Sequence, residues 1–387
     1  MSQGFDAIVV GLGAMGSSAL EALSRRGRRV LGIDRFSPPH ARGSSHGGSR
    51  VIRLSYFEHP DYVPLLRSAY ECFDRLSRDA GERLLHETGL VVGGAPGNQT
   101  TAGMLQSARE HGLEVGAIDG RELMRRHPQF VVPAGWEVVT ERRGGFVRPE
   151  ATIESALRLA AGRGAAIERN MPVLGWGAGD AGVWVDTASG RRNARSLVLC
   201  SGAWMPELLG DLGTPLQPTR ETLVWLDDAG DARWRIGPHP DAMPVWLFDR
   251  GSEPAVYGIP AFDGMGAPHG LKVGLHGRGP RVLPAAIGEP VDEGIVAETI
   301  AATAERIAGA GSRAVTAAKH CLYTMSPDSH FVVGPHPEHP NVAIAGGFSG
   351  HGFKFAPVIG EVLAELATEG NTAHPIGFLS PKRAALR

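Results

Sequence analysis

Cysteine is scarce in this chain. Three in 387 residues, Cys72, Cys200 and Cys321, stand far apart, which excludes a disulfide framework. Net charge is also nearly absent. At −2 it gives no general attraction to nucleic acid or to an anionic membrane, so ligand charge has to be met by local residues. No apolar run approaches the length that spans a bilayer. No basic leader precedes the first apolar stretch, so a cytoplasmic location is expected. No spacing resembles a metal site, and there is no internal repeat or low-complexity tract; His336 and His339 flank prolines and read as solvated loop residues. With 42% hydrophobic and 21% charged residues the composition is that of a globular protein. The length is long for one core and points to two lobes.

What is present is concentrated in the first thirty-four residues. An apolar run, Phe5 to Val10, leads into Gly11-Leu12-Gly13-Ala14-Met15-Gly16; a helical segment follows to about Arg26, then Val30 to Ile33 and Asp34. Strand, glycine turn, helix, strand and acid at these offsets form the first half of a dinucleotide site. Gly11 permits the turn, Gly13 lets the backbone approach a pyrophosphate, and Gly16 lets the helix pack on the strand. Free N–H groups at the helix start, around Ala14 and Met15, attract phosphate. Asp34, followed by Arg35, is placed to accept hydrogen bonds from a ribose. NAD, NADP and FAD all use this arrangement.

Residues 37–50 are too rich in Gly, Pro and Ser to be helix or strand. The apolar spacing predicts a helix over 62–85, with Cys72 packed inside it, and another beginning at Pro149-Glu150. Ser196 to Cys200 reads as a buried parallel strand. From 221 to 324 short alternating runs predict a more antiparallel region suited to a substrate lobe. The end of the chain returns to α/β character, with a strand at 342–345 and a helix over 357–368. The expected fold is therefore α/β: a Rossmann-like domain from 1–87, 148–220 and 325–387, and a smaller, largely antiparallel sheet domain from 88–147 and 221–324.

A second glycine turn, Gly346-Gly347-Phe348-Ser349-Gly350-His351-Gly352, precedes Phe353-Lys354 and the last helix. It brings backbone and a helix start toward a ligand, or it is a turn required only for packing. Cys321 lies in Lys319-His320-Cys321-Leu322-Tyr323-Thr324; if extended, Lys319, Cys321 and Tyr323 share a face. A nearby ammonium favours the thiolate, while a buried core cysteine is the simpler reading of the residue by itself.

Together these segments resemble the monomeric sarcosine oxidase and N-methyltryptophan oxidase family of flavoenzymes. The likeness runs nearly end to end. It includes the fingerprint, Pro38-Pro39-His40, the stretch Gly43-Ser44-Ser45-His46-Gly47-Gly48-Ser49-Arg50-Val51-Ile52-Arg53, and Tyr62-Val63-Pro64-Leu65. It continues through Leu271-Lys272-Val273-Gly274-Leu275-His276, Cys321 to Thr324, and Gly347 to Phe355.

The resemblance implies FAD, held by Gly11, Gly13, Ala14, Met15, Gly16, Asp34, Arg35 and Ser44 and by Gly347, Ser349, Gly350, His351, Gly352 and Lys354. It implies a thioether from Cys321 to the flavin 8α-methyl. Arg53 and Lys354 match the cations on the substrate carboxylate, and Tyr323 matches a residue lining the active site. Lys272 matches the lysine where oxygen is activated. Arg50 and His46 match residues on a flavin face, and His276 and Tyr257 match polar pocket residues.

Departures are visible. Ser45 and Gly48 replace the first histidine and the aspartate of the family's His-His-Gly-Asp. The loop between Tyr257 and Lys272, with Gly264, Gly266, Pro268 and His269, is longer than usual. Val245-Trp246-Leu247-Phe248 looks bulky over a sarcosine-sized pocket.

The expected activity is oxidation of an N-methyl α-amino acid by O2, giving the amino acid, formaldehyde and hydrogen peroxide. The chain is expected to act as a monomer on a small molecule, without nucleic acid, membrane or metal. Two readings stand beside it: an oxidase or dehydrogenase of a cyclic imino acid such as proline or pipecolate, and a flavin-binding subunit without turnover. An NAD dehydrogenase is a third.

Overall fold

The computed structural model describes residues 4–210, 215–237, 242–262, 264, 268–277 and 279–386; Gly266 of the long loop lies outside them. Two eight-stranded sheets carry the molecule. In the first, Phe5–Val10 lies between Val30–Ile33 and Gly190–Leu199, parallel to both. Where they lie side by side, at Ala7 to Val10, Val30 to Ile33 and Leu197 to Leu199, they are apolar because both faces are covered. Gly190–Leu199 changes partner along its length: residues 190–194 pair antiparallel with Gly182–Thr187, and 197–199 pair parallel with Val342–Gly346. The strand thus starts six residues earlier than the apolar run alone predicts, its first half being a hairpin arm with an exposed face.

Helices Ala14–Arg25, Tyr62–Ala80, Pro149–Gly162 and Ala356–Glu369 contribute to the core on one side of this sheet. The first and last cross so closely that a Cβ at Gly360 would lie 2.6 Å from Ser18. The helix predicted over 62–85 ends at Ala80. Gly81 adopts φ +69 and turns the chain, and Leu84 and Leu85 are buried in the strand region that follows. His336 is buried against Trp176 and His339 rather than solvated.

The second sheet runs in the order Val315–Met325, Gln217–Leu226, Leu271–Leu275, Glu253–Ile259, Val245–Arg250, Leu90–Gly94, Glu137–Glu141, Gly116–Asp119. All its pairings are antiparallel except that of Val245–Arg250 with Leu90–Gly94. One face packs Trp234, Trp246 and Phe248 into a core of its own. Residues of the other face line a continuous cavity bounded by the first sheet and by the segment after residue 40.

Candidate active site

The glycine turn closes one end of the cavity. A Cβ at Gly11 would lie 2.7 Å from the Cys200 carbonyl oxygen, and one at Gly16 would lie 1.7 Å from that of Gly11. Gly11 also needs φ +86. Gly13 is different: the nearest heavy atom to an added Cβ is Ser45 Oγ at 3.9 Å, so this side of the turn faces open space. Asp34 accepts hydrogen bonds from Leu12 N and Phe36 N, each 2.7 Å, which fixes its carboxylate at the cavity wall. Arg35 is exposed; it pairs with Glu207 at 3.3 Å and covers the Trp204 indole.

The other wall is the inner face of the second sheet. Period-two alternation puts Lys272, Gly274 and His276 on one side, and pairing sets Tyr257 beside Gly274 and Leu247 beside Tyr257. A Cβ at Gly274 would touch the Tyr257 hydroxyl at 2.8 Å, and one at Gly350 would enter the Tyr323 ring at 2.3 Å, so each tyrosine lies over a missing side chain. Tyr323 Oη meets His276 Nδ1 at 3.2 Å. Burial lifts both tyrosines above the ordinary phenol range and lowers His276, so all three are neutral hydrogen-bonding groups. Trp246 and Phe248 point to the opposite face. The bulk expected over the pocket is therefore absent, and Leu247 is the residue of that strand that lines it.

Lys272 is fully buried and donates to the carbonyls of Gly47 at 3.0 Å and Ser49 at 2.6 Å. Burial first, then the neighbouring Arg50, pulls its pKa well below the ordinary lysine value. Arg50 donates to Ser49 O and Ser44 O, both 2.8 Å, and to Cys321 Sγ at 3.4 Å. The cation on the sulfur is thus Arg50. Lys319 shares the face of Cys321 but is exposed. His46 is buried with neither ring nitrogen partnered, and burial followed by the fields of Arg50 and Lys272 lowers it to about 3.

At the far end of the cavity lie Arg53 and Lys354, each about 95% buried. Arg53 bonds Glu58 at 2.6 Å and lies over Phe57 and Tyr56. Lys354 donates to His351 O at 2.8 Å, and burial followed by Arg53 brings its pKa down to about 7. Burial alone would raise Glu58, but Arg53, His351 and Lys354 outweigh it and hold the carboxyl at about 2. The His351 ring is fixed by Tyr56 Oη at 2.6 Å and Ser329 O at 3.0 Å. Of the residues predicted for the site, Gly16, His46 and Ser349 do not line the cavity. Gly16 serves the turn, and Ser349 Oγ is tied to Ser326. Glu58 escaped the sequence reading, although an acid five residues after Arg53 in a short loop was a usable signal.

The FAD dependent oxidoreductase family matches residues 6–366. The chain belongs to that family. Within it, the monomeric sarcosine oxidase of Streptomyces avermitilis is 41% identical, covering 100% of this chain and 99% of the relative. The N-methyl-L-tryptophan oxidase of Salmonella arizonae is 34% identical, with 94% and 95% covered. NikD, an amino acid oxidase of nikkomycin biosynthesis, has the same fold, with a TM-score of 0.84 at 21% identity and 99% and 98% covered. The dinucleotide of this FAD-dependent oxidoreductase is accordingly FAD. The site fits that group: the open side of Gly13 meets the cavity, and the buried hydroxyls of Ser49 and Ser201 at its wall have no partner in the protein.

Proposed function

We propose that this FAD-dependent oxidoreductase oxidises the N-methyl C–N bond of a secondary α-amino acid in the class of sarcosine or N-methyltryptophan. The products are the amino acid, formaldehyde and hydrogen peroxide. The observation that carries the reading is the pair of buried cations, Arg53 and Lys354, at the end of a cavity whose sheet wall presents Tyr257, His276 and Lys272. Such cations suit a carboxylate, which they bind through charge-assisted hydrogen bonds. Glu58 now takes one of them, so a substrate carboxylate competes with Glu58 for Arg53. Holding the carboxylate orients the N-methyl group, converting binding energy into position. Val92, Leu247 and Ile259 add an aliphatic wall beside Tyr257 for the rest of the substrate.

FAD, when bound, supplies the two-electron acceptor and the reaction with O2. The protein's share is position and field. Gly11, Gly13, Ala14, Met15 and Asp34 take the adenosine and pyrophosphate end, and Gly347, Gly350, Gly352 and Arg50 the ring end. Lys272 presents a fixed positive group where O2 gains charge. Cys321, against Arg50, carries the covalent link. The reading assigns 1–87, 148–220 and 325–387 to the cofactor and 88–147 and 221–324 to the substrate. It takes the protein as a cytoplasmic monomer, supported by three free cysteines and by a relative named as monomeric.

An anaerobic panel of sarcosine, N-methyl aromatic amino acids, proline and pipecolate tests the substrate class. Bleaching of the yellow cofactor by N-methyl acids, with peroxide released on aeration, is expected. Turnover of proline or pipecolate alone refutes the assignment. The link predicts a fluorescent band that survives denaturing electrophoresis and is lost in Cys321→Ala; a colourless band from the unaltered protein removes it.

A further inference from the structure

Gly47 and Gly48 take φ +92 and +76 in succession, and their consecutive amides face the same way. Both point at Glu150, the second residue of helix Pro149–Gly162: Gly47 N donates to Oε1 at 2.6 Å, and Gly48 N to Oε1 at 3.2 Å and Oε2 at 3.1 Å. Successive amides of this kind form a nest for an anion. The same short turn presents the Gly47 and Ser49 carbonyls that receive the Lys272 ammonium, and Ser49 O also receives Arg50. A carboxylate therefore grips the amide side of the turn, and the buried Lys272 and half-buried Arg50 sit on its carbonyl side.

We infer that Glu150 is the positioning residue for Lys272, acting through the Gly47–Ser49 turn. The inference rests on the proposed oxygen-facing role of that lysine. Glu150 does two things. Through Gly48 N it fixes the peptide plane that carries the Gly47 carbonyl, one of the two that set the direction of the ammonium. It also supplies negative charge close to a lysine and an arginine that repel one another. Arg50 pulls the Lys272 pKa down, whereas the carboxylate of Glu150 acts the other way and favours its charge. Helical geometry makes Glu150 a firmer anchor than a loop side chain.

The test uses the flavin-loaded protein with Glu150→Ala, Glu150→Gln and Lys272→Met, and with each Glu150 variant combined with Lys272→Met. Hydrogen exchange of segment 44–52 reads the turn directly and is expected to quicken at least tenfold in Glu150→Ala; unchanged exchange overturns the inference. In the two half-reactions, Glu150→Ala is expected to slow reoxidation by O2 at least tenfold while reduction by substrate stays within twofold. Glu150→Gln keeps the acceptor oxygen and is expected to restore exchange protection but only part of the reoxidation rate. In the Lys272→Met background neither Glu150 variant is expected to slow reoxidation further. Equal loss in both half-reactions, or a full additional loss in that background, also overturns the inference. If Lys272→Met itself leaves reoxidation unchanged, the oxygen-facing reading fails, and exchange of the turn still decides whether Glu150 holds it.

Discussion

Lysine is the rare cation of this chain. Of 39 Lys and Arg residues four are lysine, and two of them, Lys272 and Lys354, are buried at the cavity. An arginine stays charged almost anywhere, whereas a buried lysine can give up its proton, and its charge with it, near neutrality. Lys354, brought to about 7, is the case that can be read by pH. Its charged form binds a carboxylate, so affinity for a simple carboxylate such as acetate is expected to be high below pH 7 and to fall as pH rises through it. The slope approaches tenfold per pH unit. Lys354→Arg should flatten the profile at high affinity and Lys354→Met at low affinity. Titrating the flavin spectrum from pH 6 to 9 checks this, and a flat profile in the unaltered protein contradicts it. Glu58→Gln belongs beside it: without the competing carboxylate on Arg53, the same inhibitors are expected to bind several-fold more tightly. Looser or unchanged binding would show that Glu58 does not oppose the ligand.

Elements differ in how plainly the sequence shows them. The strands Phe5–Val10 and Val30–Ile33 are legible because the stretch covered on both faces, Ala7 to Val10 in the one and all of the other, must be apolar. The glycine turn is legible because a Cβ fails at Gly11 and Gly16 for steric reasons alone. The strand Val245–Arg250 is less legible, since alternation divides its residues between two faces without saying which face meets the site. Its aromatics went to the core and Leu247 to the cavity. The helix predicted to 85 failed at one residue, Gly81, where the apolar pattern continued through Leu84 and Leu85 while the backbone turned. Gly81→Ala is therefore expected to cost about 1 to 2 kcal/mol in urea unfolding, from the left-handed backbone alone, because nothing lies within 4 Å of the added methyl. A neutral substitution would mean that the helix can end otherwise. Gly274→Ala is the functional counterpart. It drives a methyl against Tyr257 at 2.8 Å and is expected to lower kcat/KM about tenfold at a stability cost of about 1 to 3 kcal/mol. Unchanged kcat/KM would place Tyr257 outside the chemistry.

The whole molecule is closed on itself by a charge network that no local pattern announces. Glu361, on the last helix, bonds Arg25 at the end of the first helix, Arg26 just after it and Arg75 of the second, and Arg26 also reaches Glu365. Arg163 adds ties to Glu21 and Asp79. Glu361 thus meets partners 286 to 336 residues away, at the end of the first helix opposite its glycine turn. Single exposed ion pairs contribute little, but here one carboxylate, 9% exposed, serves three guanidinium groups. Removing it leaves three cations crowded without their anion, so Glu361→Gln is expected to cost about 2 kcal/mol at pH 7. The sign with pH follows from the same contacts. Burial alone would raise the Glu361 carboxyl, but Arg75, Arg25 and Arg26 outweigh it and hold the pKa below its ordinary value of 4.5. The network is therefore at full strength above pH 4.5 and is lost as pH falls through the depressed value. The gap in urea midpoint between the unaltered protein and Glu361→Gln should narrow steadily below pH 4.5. A gap that stays constant down to pH 3 would mean that shape rather than charge holds the last helix to the first. In that case the close crossing at Gly360 and Ser18 is the element to perturb instead.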